Sequence, residues 1–73
     1  MMVHGIEFPE SLLEMAWEMA CERGLSHAKL REAFMDLGYR EGDFLDRAAD
    51  RLLQRKRKAG ACRYHKGKWE VLK

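Results

Sequence analysis

Most of the residues in this chain that could do chemistry are cations. Arg55-Lys56-Arg57-Lys58 is the densest run, and Arg63, Lys66 and Lys68 follow within ten residues. Such a cluster suits a polyanion, because each phosphate neutralised by Lys or Arg releases condensed counterions. Part of the run has a plainer reading, since cations at a helix C-terminus complement the negative end of its dipole. Other chemistries are thinly represented. Cys62 and His65 have a C-x-x-H spacing, with His4 and His27 elsewhere. A structural zinc site needs four convergent ligands, so no metal is expected. Cys21 and Cys62 lie far apart and outside any CxxC pair, which reads as reduced, partly buried thiols, with Cys21 a core thiol and not a nucleophile. Neither a glycine-rich phosphate loop nor a nucleophile elbow occurs. The chain is therefore expected to act without catalysis and without a cofactor.

The distribution of charge points the same way. Residues 1–36 carry three Lys/Arg against seven carboxylates, while residues 37–73 carry eleven against five. A polyanion would meet the second half. Hydrophobic residues make up 47% and charged residues 36% of the 73, a globular composition with room for only one domain. The start, Met1-Met2-Val3-His4-Gly5, has no basic stretch leading into an apolar one. No run approaches the roughly 18 apolar residues of a membrane span. A cytoplasmic location with no membrane partner is the expectation.

The elements that must position these residues follow from periodicity and punctuation. Pro9 and Glu10 open a first helix that runs to about Arg23, with Leu13, Ala16, Trp17 and Ala20 inward and Glu14, Glu18 and Glu22 outward. Gly24 supplies a left-handed stop. Ser26 caps a second helix whose buried face is Leu30, Ala33, Phe34 and Leu37, and Leu25 is placed to staple its first turn onto Leu30. Gly38 ends it. After the connector Gly38-Tyr39-Arg40-Glu41-Gly42, a third helix runs from about Asp43 to Lys58 with Leu45, Ala48, Ala49, Leu52 and Leu53 facing inward. At about 100° per residue, Asp43, Arg47, Asp50, Arg51, Gln54 and Lys58 fall on its outer arc, with Asp43 and Arg47 as an i, i+4 pair. Ala59-Gly60 closes it. Ala61-Cys62-Arg63-Tyr64 and Lys68-Trp69-Glu70-Val71-Leu72 then change period to that of strands, joined by His65-Lys66-Gly67. Trp69 and Val71 share the face expected to pack on the helices. The aromatics are mostly core residues, with Tyr64 and Trp69 placed either to cover the core or to rest on a ligand. Gly5-Ile6-Glu7-Phe8 reads as a short strand or an apolar plug. Met15 and Met19, at i, i+4, read as core or as a dimer contact.

The fold class is thus mainly α with a small β-hairpin, and the order of elements resembles the winged helix-turn-helix superfamily. The resemblance is carried by Gly24-Leu25-Ser26 and Leu30, by Leu37-Gly38-Tyr39 at the turn, and by Ala48-Ala49-Asp50-Arg51-Leu52-Leu53. Ala59-Gly60 and Gly67-Lys68-Trp69-Glu70-Val71-Leu72 complete it. It implies a domain over residues 9–73 preceded by an N-terminal arm, 1–8. It further implies a small DNA-binding protein, a transcription regulator or accessory factor, whose third helix (43–58) enters the major groove of double-stranded DNA beside a wing (61–72). Carried onto this chain, Arg47, Arg51 and Gln54 would read base edges. Arg40, Arg55, Lys58, Arg63, Lys66 and Lys68 would hold phosphates. Asp43, Asp46 and Asp50 on the same helix depart from that pattern, because carboxylates repel phosphates. They suit the alternative, a protein-interaction module that binds a protein partner through the mixed Asp/Arg face. A homodimer would have to use the first helix, the arm or the wing, since no coiled coil is present.

Overall fold

Two antiparallel hairpins bracket three helices in the computed structural model, which describes residues 1–72. Strands β1 (Met2–Val3) and β2 (Ile6–Glu7) pair first, with Met2 opposite Glu7 and Val3 opposite Ile6. Helices α1 (Glu10–Glu22), α2 (His27–Asp36) and α3 (Asp43–Lys58) follow. Strands β3 (Cys62–His65) and β4 (Lys68–Val71) close the chain, in the register Cys62 to Val71, Arg63 to Glu70, Tyr64 to Trp69 and His65 to Lys68. The mainly helical layout with a terminal hairpin is the expected one. Among the described residues, no helix is long and apolar enough to cross a membrane.

Local chemistry explains where the helices begin and end. Pro9 stands just outside α1, where its carbonyl accepts from the Leu12 and Leu13 amides at 3.1 and 3.0 Å. Ser26 caps α2 as expected, its Oγ accepting from the Lys29 amide at 3.1 Å. Gly24 and Gly38, which stop α1 and α2, take φ of +92° and +107°, a region that L side chains avoid. Gly42 precedes α3 and offers no side chain, so Asp43 and Asp46 in the first turn are what face the positive end of the dipole.

The core is apolar throughout, with no buried polar side chain among the described residues. Leu13 of α1, Leu30 and Phe34 of α2, and Leu45, Leu52 and Leu53 of α3 are all essentially buried. These are the inward stripes that the spacing predicts. Less expected is the part played by residues 1–8. Phe8 is fully buried, stacks on Tyr39 with ring centroids 4.7 Å apart and meets Phe34 edge-on at 5.3 Å. Val3 is buried as well, and the Phe8 amide donates to the Met1 carbonyl at 2.8 Å. This segment is folded into the domain as a hairpin, and both the strand and the plug suggested for Gly5–Phe8 are present.

The terminal hairpin is fixed to α3 at its base. The Ala61 amide donates to the Lys56 carbonyl at 2.9 Å, and buried Cys62 places Sγ 3.8 Å from the Leu53 carbonyl. Farther out the cover thins. Trp69 is half-buried against the core, whereas Val71, on the same expected inner face, is 40% exposed. Lys66 and Gly67 both have positive φ, +51° and +76°, the requirement of a type I′ turn that matches strand twist. His4 and Gly5 repeat the pattern in the first hairpin at +52° and +76°.

Candidate nucleic-acid interface

Helical phase divides the basic run of α3 into two pairs with different surroundings. Arg55 and Lys56 turn toward α1. The Arg55 guanidinium makes a forked ion pair with Glu10, and Lys56 Nζ donates to Glu14 Oε1 at 2.7 Å while lying 5.3 Å from the centre of the Trp17 ring. The hydrogen bond from Arg55, with its charge, holds the Glu10 carboxyl below the usual carboxylate range although the side chain is exposed. Arg57 and Lys58 point elsewhere. Arg57 Nε donates to Gln54 Oε1 at 2.9 Å, and neither cation has a carboxylate within ion-pair distance among the described residues.

On the outer face of α3, Arg47 and Arg51 are exposed with Asp50, and Gln54 is half-buried. The first hairpin leans on this face. Arg51 Nη1 donates to the Met2 carbonyl at 2.7 Å, and Val3 and His4 border a cleft of about 590 Å³ whose other wall is Asp46, Arg47, Asp50 and Arg51. The Asp43–Arg47 pair suggested by the spacing is not among the ion pairs of the described residues. Asp46 is drawn to α2 instead, with Oδ1 2.9 Å from Arg31 Nε and its backbone carbonyl 2.9 Å from His27 Nε2. The geometry at Arg31 Nε is too oblique for a hydrogen bond, so attraction there is mainly Coulombic. Arg31 also reaches Glu41 at 3.1 Å. The expected arc of three aspartates is therefore reduced to Asp43 and Asp50.

The remaining expected residues spread over the connector and the hairpin. Arg40 is exposed before α3. Arg63 is paired across the strands with Glu70 at 2.9 Å, Lys66 stands at the tip of the turn, and Lys68 faces solvent beside it. Over the surface as a whole, ion pairing is asymmetric. Arg23 is paired with Asp36, Lys29 with Glu32 and Arg31 with Glu41, so the cations of the first half are all neutralised locally. Arg40, Arg47, Arg51, Arg57, Lys58, Lys66 and Lys68 have no carboxylate partner among the described residues. All but Arg40 sit on α3 or the second hairpin.

Arg57 was not among the side chains expected to contact DNA, although its position three after Gln54 puts it next to that residue on the helix surface. With Gln54 it forms one side of a second cleft, about 630 Å³, closed on the other side by Arg63, Tyr64, Trp69 and Leu72. Burial pushes both thiols up from their ordinary range, Cys62 beneath the hairpin and partly buried Cys21 on α1, where nearby Cys62 adds to the effect. Comparison with known proteins returns no match, whether to a family model, to a curated protein or to a solved structure.

Proposed function

We propose that this protein is a non-enzymatic binder of double-stranded DNA of the winged helix-turn-helix kind, a transcription regulator or accessory factor. In this reading α2 and α3 form the helix-turn-helix, and the β3–β4 hairpin is the wing. The observation that carries it is the asymmetry of ion pairing, which among the described residues leaves the unneutralised Lys and Arg side chains, Arg40 apart, on α3 and the hairpin. Phosphates supply the missing partners. Arg47 and Arg51 would approach base edges together with Gln54, while Lys58, Lys66 and Lys68 hold the backbone, joined by Arg57. The carbonyl of Met2 occupies one nitrogen of Arg51, which leaves Nε and Nη2 for a base.

Anisotropy titrations of labelled duplexes across a range of salt test this reading. Changing both Lys66 and Lys68 to Ala should weaken binding to all duplexes alike and lower the log K against log salt slope by about 0.9 for each phosphate no longer neutralised. Arg51→Ala should cost roughly 1–3 kcal/mol on a preferred site and much less on random DNA. Affinity no better than millimolar near physiological salt, or a slope that the lysine changes leave untouched, overturns it.

A second reading, a protein-interaction module of the same fold, is favoured by Asp43 and Asp50 standing exposed on α3 and by the first hairpin leaning against that face. On that reading, changing both aspartates to Asn weakens recovery of a protein partner in pull-downs while DNA binding stays negligible.

A further inference from the structure

We propose that the cleft between α3 and the β3–β4 hairpin takes a single unpaired base of a DNA strand, stacked on Tyr64. The proposal rests on the nucleic-acid reading above and adds the form of DNA that this part of the surface recognises. Tyr64 is 59% exposed, the most exposed of the large hydrophobic side chains. It meets Trp69, its cross-strand neighbour, at 5.2 Å between centroids with the rings inclined at 67°. A cross-strand aromatic pair steadies a hairpin, and that accounts for the contact between the rings. It does not account for the uncovered surface of Tyr64, nor for the apolar neighbour Leu72, itself 41% exposed.

The rim of the cleft supplies the charge that such an occupant needs. Arg57 is held in place by Gln54 and has no carboxylate partner among the described residues, and Arg63 is held against Glu70. Lys58, Lys66 and Lys68 lie on the neighbouring helix end and hairpin with no carboxylate of their own among the described residues. A flat apolar ring bordered by fixed guanidinium groups matches a nucleobase with its phosphates. Bases inside a duplex are already stacked and cannot offer a face, so the occupant must come from an overhang, a frayed end or a single strand.

The experiment compares a blunt duplex, the same duplex with a short thymine overhang, and the same overhang made abasic, which keeps every phosphate and removes the bases. For the unaltered protein, the thymine overhang should tighten binding about tenfold over the blunt end, and the abasic overhang should return most of that gain. Tyr64→Ala should lose the gain while keeping blunt-duplex affinity and its salt slope, and Tyr64→Phe should retain it. Melting followed by circular dichroism verifies that both variants fold. An abasic overhang that binds as tightly as thymine overturns the proposal, as does a Tyr64→Ala variant that keeps the gain or weakens blunt and overhung duplexes equally. If the blunt duplex does not bind but the overhung strand does through Tyr64, this proposal stands and the duplex reading falls. If neither binds, both fall.

Discussion

At the scale of the residue, the interior of α3 was the easiest part to read and its charged surface the hardest. Leu52 is essentially buried at the centre of the inward stripe, and Leu52→Ala is expected to cost on the order of 2–5 kcal/mol in urea unfolding. A loss below about 1 kcal/mol would mean that the side chain is not where the 3.6-residue period puts it. The stripe was legible because burial on one helix face repeats locally. The pairs Arg55 with Glu10 and Lys56 with Glu14 were not, since their partners lie 45 and 42 residues apart and no local pattern records that meeting. Glu10 gives a prediction in pH. Its folded pKa is depressed by the hydrogen bond and charge of Arg55, so the stabilisation is present above the unfolded value and is lost as pH falls through the lower, folded one. Glu10→Gln should lower Tm slightly at neutral pH and match the unaltered protein in acid, so that the acid limb of a plot of Tm against pH is flatter, by a small amount because the pair is exposed to solvent.

Elements with strong punctuation came out as the sequence suggests. Ser26 caps α2, Gly24 and Gly38 stop their helices, and α3 spans Asp43–Lys58. The first hairpin escaped a firm reading because strands of two residues are too short to display an alternating pattern, and a His-Gly turn is a weak signal beside Asn-Gly. The second hairpin was expected, but its turn carries a Lys at φ +51°, where an L side chain is strained. Lys66→Asn should therefore stabilise the fold by up to about 1 kcal/mol in thermal melts, because Asn tolerates this conformation. On the proposed function the same change should weaken DNA binding by one phosphate contact. Opposite signs in the two measurements are the expected signature of a turn residue kept for its charge and not for its conformation.

Over the whole molecule, acidic α1 lies against the basic end of α3, taking up Arg55 and Lys56, and the other cations of α3 stay exposed with Lys66 and Lys68 of the terminal hairpin. Residues 1–8 belong to this architecture through Phe8, and Phe8→Ala should cost about 3–5 kcal/mol, measured by denaturant unfolding, because the Phe8–Tyr39–Phe34 cluster loses its central ring. The contact of Arg51 with Met2 has a further consequence, in the order of assembly. These partners are 49 positions apart, so closing them confines nearly the whole intervening chain, and that contact gains nothing until α3 has already settled on the core. The opening hairpin should be the last part to dock and the first to come away. Native-state amide exchange would then find Phe8, whose amide bonds back to Met1, opening at a lower free energy than the amides in the middle of α3.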